Sequence, residues 1–285
     1  MDRGFAEAVV SVPDVERLAS WLDGRSRMAV ITGAGVSTGS GIPDYRDGDG
    51  NWKRSPPVQY RDFVESAAVR RRYWARSFAG WPMFAAAQPS AAHVALARLE
   101  RAGLVGELVT QNVDRLHQRA GSRNVIDLHG RLDVVRCLAC NDRTPRDTFQ
   151  ERLREANPDW NSSTARIAPD GDADLADVDF DRFVIPACTI CGGVLKPDVV
   201  FYGESVPRES NVAALTTVES SDGVLVVGSS LMVWSSFRLV RAAAQHGIQV
   251  VAVNRGRTRA DDLFAFKLDG ECGAVLGAAL ERLAE

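Results

Sequence analysis

Short apolar runs separated by amphipathic stretches recur along the chain and set the expected order of elements. Residues 28–31, 104–110, 125–128, 223–227 and 249–253 read as strands, most of them apolar enough to be buried on both faces. Residues 198–201 read as a strand that resumes this series after a break, and 264–268 as its last member. Helical spacings lie between them. Residues 12–23 put Val15, Leu18, Ala19 and Leu22 on one face, with Pro13 and Asp14 in the first turn. Residues 61–84 form a long pattern rich in Arg and aromatics, 91–102 an amphipathic helix closed by Gly103, and 235–246 another, while a short helix passes through His117 and Arg119. Strand and helix in alternation predict an α/β fold of Rossmann type, a mostly parallel sheet with helices on both faces.

The alternation breaks at 131–195, where Cys137-x-x-Cys140 and Cys188-x-x-Cys191 bracket polar sequence. Each knuckle sets two thiolates on one side of a turn, and the two pairs complete a tetrahedral Zn²⁺ site with no position left for water. The metal is then structural, holding an insertion too small for its own core. A redox role for the C-x-x-C pairs is the rival, disfavoured because they come matched. The expected organisation is a nucleotide-binding domain from 1–47, 103–130 and 198–285, a loop and helical module at 48–102, and a zinc-binding small domain at 131–197. The Asp170, Asp172, Asp174 series resembles the start of a calcium loop but lacks the glycine at its sixth position, so a solvated loop is expected.

Composition narrows the classes. The chain has 285 residues, 45% hydrophobic and 25% charged, ordinary for a soluble globular protein. A net charge of −3 argues against nucleic acid, so the Arg70-Arg71-Arg72 run reads as a solvated helix face. No run approaches the roughly 18 apolar residues of a membrane span. The first residues carry Asp and Glu early, unlike a targeting peptide, so a cytoplasmic location is expected, and a monomer.

Polar groups then gather at strand ends, where open α/β sheets bind ligands. The turn Thr32-Gly33-Ala34-Gly35 lets backbone N–H groups approach an anion, and a helix starting near Val36 would aim its positive end there; glycine for steric reasons alone is the other reading. Gln111, Asn112 and Asp114 follow the second strand, as a ribose or nicotinamide site or as helix caps. His129 follows the third, a candidate base or a satisfied structural histidine. His93, His117 and His246 fall inside helical patterns and read as structural. Gly228, Ser229 and Ser230 suit phosphate or ribose, and Asn254 a second ribose. Tyr73 and Arg76, three apart on one helical face, could bind a carboxylate or polar acyl group. Cys272 reads as a small buried residue.

Together GAGVSTGSGIPDYRD, TQNVDRLHQRAG, the LHG at 128–130, the paired C-x-x-C, KPDVVFYGE, VVGSSL and the VN at 253–254 resemble the sirtuin family, in the family's order over most of the chain. RRYWAR, the GWP at 80–82, TPRD, APDGDADL and GSS resemble its class II branch, which includes the mitochondrial sirtuin four, in a bacterial member. The resemblance implies an NAD-dependent lysine deacylase in which NAD is consumed, nicotinamide leaves and the acyl group passes to ADP-ribose. His129 matches the family's base; Asn112, Asp114, Ser37, Ile42 and Asp44 match residues around the nicotinamide ribose; Ala34, Tyr45 and Arg46 match the cofactor-binding loop. Gly228, Ser229, Asn254 and Cys272, the last through its backbone, match positions holding phosphate, ribose and adenine. Val200, Phe201, Tyr202, Gly203 and Glu204 match the segment that binds an acyl-lysine protein or peptide as an added strand. Three other activities stay open: mono-ADP-ribosyl transfer, lipoamide cleavage, and NAD sensing without catalysis. Arg115 departs from the family, standing where Gly is frequent.

Overall fold

The structure, a computed structural model, describes residues 11–53, 57–160, 166–167, 173–174 and 179–284. Helix α1 (Val12–Leu22) leads into strand β1 (Met28–Thr32). Then come α2 (Tyr60–Glu65), α3 (Ala67–Ala86), α4 (Ala91–Arg101), β2 (Val105–Thr110), α5 (Leu116–Arg119) and β3 (Val125–Asp127). The middle of the chain holds β4 (Gly130–Cys137), β5 (Arg143–Pro145), α6 (Arg146–Ala156), the two-residue strands β6 (Arg166–Ile167) and β7 (Ala173–Asp174), and β8 (Leu195–Val199). The remainder is α7 (Arg208–Glu219), β9 (Val224–Val227), α8 (Trp234–Gln245), β10 (Val250–Val253), β11 (Phe266–Leu268) and α9 (Cys272–Leu283). The Asp170 and Asp172 of the acidic series lie outside the described residues.

Six strands form one sheet in the order β11-β10-β9-β1-β2-β3, every neighbouring pair parallel. Counted by appearance within the sheet this is the Rossmann order, reversing direction between β1 and β9. Side-chain alternation explains the two-sided burial. Met28 and Val30 face α1, α4 and α9, while Ala29 and Ile31 face α7 and α8. Among the described residues no helix is long and apolar enough to cross a membrane.

The expected strand at 198–201 is displaced. β8 (Leu195–Val199) pairs antiparallel with β4, which also pairs antiparallel with β5, so it belongs to a small separate sheet. Lys196 is buried within it, its Nζ donating to the carbonyls of Pro197 and Val199 and pairing with Glu204. At one end of this sheet the four cysteine Sγ atoms lie within 4.8 Å of one another, Cys137 and Cys191 at 3.5 Å and Cys140 and Cys188 at 3.7 Å. Tetrahedral Zn²⁺ with Zn–S near 2.3 Å sets sulfurs about 3.8 Å apart, so the cluster is compatible with a structural zinc. A second apolar core, with Phe63, Trp74, Phe149 and Leu195 at its centre, joins this sheet to α2, α3 and α6.

His93 and His117 pack in the interior with ring centroids 4.6 Å apart and planes tilted by 59°, where burial pushes His93 down to about 4 and His117 well below its usual range. Ser90 caps α4 and holds His93, and the His117 Nε2 meets Thr32 Oγ1 at 2.9 Å. As pH falls below the ordinary imidazole value of 6.5, the unfolded chain takes up protons that the folded chain refuses until about 4. Stability from His93 is therefore complete above 6.5 and is lost progressively down to about 4, with His117 acting in the same direction. Urea midpoints measured between pH 7.5 and 4.5 should fall across that window, on the order of 3 kcal/mol for His93 alone, and His93→Gln should flatten the fall. In the small sheet, Cys137→Ser should lose zinc and expose its strands to proteolysis; one retained equivalent of zinc would contradict the four-thiolate site.

Candidate active site

Two loops leave neighbouring strands at the point where the sheet reverses, and they touch through their backbones. The Gly35 N–H donates to the Gly228 carbonyl at 2.8 Å. A Cβ on Gly35 would lie 2.8 Å from Gly228 Cα, and one on Gly228 would lie 2.5 Å from Val36 N, so only glycine permits the contact. The expected helix near Val36 does not form. Two 3₁₀ turns, Ala34–Val36 and Thr38–Ser40, take its place, ending at Gly41 with φ 80°. This short, glycine-broken loop instead curls back through Ile42 N–H to the Ser37 carbonyl and buries Ile42 beside Trp81, Leu116 and Leu132.

The loops enclose one wall of a cavity of about 520 Å³. On that wall Ser37 Oγ donates to Asp114 Oδ2 at 2.7 Å, and Asn112 Nδ2 donates to the Gly33 carbonyl and to Ser37 Oγ, each at 3.0 Å. Gln111 Nε2 donates to Ser229 Oγ at 2.8 Å, tying the β2 loop to the β9 loop. Burial pushes the Asp114 carboxyl up, against the bonds from Ser37 and the Leu116 N–H. Arg115 has φ 64°, a left-handed conformation that costs a non-glycine residue about 1–2 kcal/mol, and its guanidinium pairs with Asp127. Leu231, φ 55°, is strained in the same way on the cavity wall.

His129 ends the turn after β3. Its Nδ1 lies 3.2 Å from the Gln111 carbonyl and its Nε2 2.7 Å from Ser235 Oγ. Burial pushes it down to about 4, opposed by the Gln111 carbonyl, so the ring is neutral near pH 7. The next residue must be glycine: a Cβ on Gly130 would sit 2.1 Å from the Asp198 carbonyl oxygen.

A further wall is Val200, Phe201, Tyr202, Gly203 and Glu204. This segment follows β8 as a pinned turn. Val200 N–H donates to the His129 carbonyl at 2.8 Å, Phe201 N–H to Glu204 Oε2 at 2.9 Å, and Tyr60 N–H to the Tyr202 carbonyl at 2.8 Å. Glu204 also pairs with buried Lys196 at 2.9 Å. The rim loop folds over Tyr202: Trp52 packs on that ring, Arg46 lies 3.9 Å over Trp52, and Asp44 pairs with Lys53.

Of the residues singled out in the sequence, Gly33, Ala34, Gly35, Ser37, Ile42, Asp44, Tyr45, Arg46, Tyr73, Gln111, Asn112, Asp114, His129, Ser229, Ser230 and Asn254 line this cavity, with Gly228 and the 200–204 segment. Arg76 and Cys272 do not. Tyr73 belongs to the inward stripe of α3, edge-on to Phe201 and Phe63, and Arg76 falls beside that stripe. Cys272 opens α9 in the core, its thiol turned to the Val253 carbonyl at 3.6 Å and pushed up to about 12 by burial. Sequence reasoning missed Asn211, Ser235, Arg238, Arg255 and Arg257, all of which line the cavity. The Ser235 to Arg238 spacing on α8 was the available signal, since residues three apart share a helix face.

A model of the Sir2 family matches residues 33–235. An "NAD-dependent protein deacetylase" of Bordetella bronchiseptica is 57% identical over 263 residues, 92% of this chain and 96% of that protein. The "NAD-dependent protein deacylase Sirt4" of Drosophila melanogaster is 50% identical over 266 residues, 92% of this chain and 85% of that protein. A solved complex described as "Sir2-p53 peptide-NAD+" superposes with a TM-score of 0.76 at 29% identity, covering 94% of this chain and 98% of that one. With its sheet order, paired cysteine knuckles and His129 in a cavity at the strand reversal, the chain belongs to the Sir2 family, the sirtuins.

Proposed function

We propose that this protein is an NAD-dependent lysine deacylase in which His129 accepts the proton. The observation that carries the reading is a neutral imidazole, its Nε2 on the hydroxyl of another lining residue, in the cavity lined by both the Gly33 and Ser229 loops and the 200–204 segment. The donor set suits a dinucleotide. Arg255 and Arg257 have no ion-pair partner among the described residues, whereas Glu204 and Asp44 are already paired, so these two arginines are available to a pyrophosphate. Gly33, Ala34, Gly35, Arg46, Ser229 and Asn254 would hold the phosphates and adenosine end, and Ser37, Asn112 and Asp114 the nicotinamide end.

Bound there, NAD supplies an anomeric carbon with nicotinamide as leaving group, together with ribose hydroxyls. The chain's part is to orient, exclude water and take a proton. Ile42, Leu132, Val199 and Phe201 give the acyl chain a dry apolar lining. Main-chain groups of the 200–204 segment and of the loop before α8 would bind the peptide, giving broad sequence tolerance. The names of the Bordetella and Drosophila relatives support the same activity.

The finer choice of acyl group turns on Arg238. One turn beyond Ser235 on the cavity wall, it bonds Asn211 Oδ1 through Nη2 and has no ion-pair partner among the described residues. We infer that chains ending in a carboxylate or carbonyl acceptor are favoured over acetyl.

Incubation with NAD and an acyl-peptide panel should release nicotinamide and free lysine together; ADP-ribosyl label retained on protein without freed lysine would overturn the reading. His129→Ala should lower kcat roughly 10²- to 10⁴-fold. Because the neutral ring is the active form, kcat/KM should hold as pH falls below 6.5 and drop only on approach to about 4. Arg238→Ala should cost roughly ten- to hundredfold in kcat/KM on succinyl or glutaryl peptides, and far less on acetyl peptides.

A further inference from the structure

Which nitrogen of an imidazole carries the proton follows from what each one faces. His129 Nδ1 faces the Gln111 carbonyl oxygen, a group that only accepts, so the ring proton sits on Nδ1. Nε2 therefore presents a lone pair, and the Ser235 hydroxyl donates to it across 2.7 Å. Among the described residues that nitrogen has no other hydrogen-bond partner.

The placement of Ser235 is fixed by the helix that carries it. Ser235 is the second residue of α8, whose start is locked by Ser236: fully buried, with Oγ on the Val233 carbonyl at 3.0 Å. Leu239 and Val240 continue that inward face into the core. With Ser236 turned inward, helical geometry turns Ser235 and Arg238 toward the cavity.

We propose that Ser235 is a positioning residue: its hydroxyl holds the Nε2 lone pair of His129 toward the cavity in the resting enzyme and yields it to a ribose hydroxyl of NAD. This rests on the reading of His129 as the base. Three effects follow from the one bond. The ring is held at both ends, by Gln111 and by Ser235, and so cannot rotate away. The neutral ring is favoured, because an imidazolium has no lone pair for the hydroxyl. The direction that a substrate hydroxyl must use is kept for a hydroxyl of the same kind. On exchange, the ribose hydroxyl proton passes to Nε2 and its oxygen keeps the electron pair. The imidazolium so formed retains its Nδ1–H on Gln111, and Ser235 neither gains nor loses a proton.

Charged groups reach the same cavity from every side: Arg238 from α8, Asp114 from the loop after β2, Glu204 beside β8, Asp44, Arg46 and Asp47 from the loop that follows Gly41, and Arg255 and Arg257 from the loop after β10. None of them moves His129. Its displacement comes from burial, with the Gln111 carbonyl opposing, so a change at Ser235 can be read without a charged neighbour intervening.

The test uses the full chain with ¹⁵N-labelled histidine, the His129 resonances being assigned by their loss in His129→Gln. Wild-type His129 should appear as the Nδ1–H tautomer. In Ser235→Ala the tautomers should mix and the titration midpoint should rise by roughly half a unit to one unit, the equivalent of one hydrogen bond to the neutral ring. The acid limb of kcat/KM should rise by the same amount, and Ser235→Thr, which keeps the hydroxyl, should restore both. An unchanged imidazole spectrum in Ser235→Ala overturns the proposal, whatever happens to turnover. A changed spectrum with an unmoved acid limb overturns instead the reading of His129 as the base, as would His129→Ala retaining full deacylation.

Discussion

The contact between the Gly35 and Gly228 backbones is the constraint on which the rest of the site depends. Two strands that run side by side and connect in opposite directions must send their loops apart, yet here the loops converge until an amide and a carbonyl bond at 2.8 Å. Only the absence of both Cβ atoms allows it. Because the loops meet, Gln111 can reach Ser229, Asn112 can reach Gly33, and the β2 loop is held where its Gln111 carbonyl orients His129. A methyl group at either glycine would move the imidazole without touching it.

Burial decides the electrostatics of this arrangement. The ring of His129 and the carboxyl of Asp114 are both pushed toward neutrality, the first downward and the second upward, and each is steadied by hydrogen bonds from neighbouring loops. Two acids of the cavity wall are tied to lysines, Glu204 to Lys196 and Asp44 to Lys53, while Asp47 on the exposed rim is held by the N–H groups of Asp49 and Asn51. Arg255 and Arg257, which have no ion-pair partner among the described residues, are placed on this wall to meet an anionic group.

Much of this was legible in the sequence because the signals are local. Buried parallel strands are nearly uniform apolar runs, and β1, β9 and β10 were visible as such. His129 followed by Gly130 was visible because the steric demand on residue 130 comes one residue after the functional group. The failures are cases where geometry between distant segments decides. Residues 198–201 read as a strand of the main sheet, whereas the strand that forms is Leu195–Val199, and only its pairing with Gly130–Cys137 shows where it belongs. Arg76 shares a helix with Tyr73 but lies off the stripe that packs on Phe201, which spacing alone does not reveal. Ser235 has no motif; its role arises from a ring more than a hundred positions earlier in the chain.

The strand Leu195–Val199 joins two regions that otherwise have little in common. Its first residue pairs with Cys137 at the thiolate cluster, and the turn that leaves it is held through Lys196 and Glu204 as a wall of the cavity. The thiolate cluster and the cavity wall are thus the two ends of one five-residue strand, so a shift of backbone at the cysteines has a direct covalent path to residues 200–204.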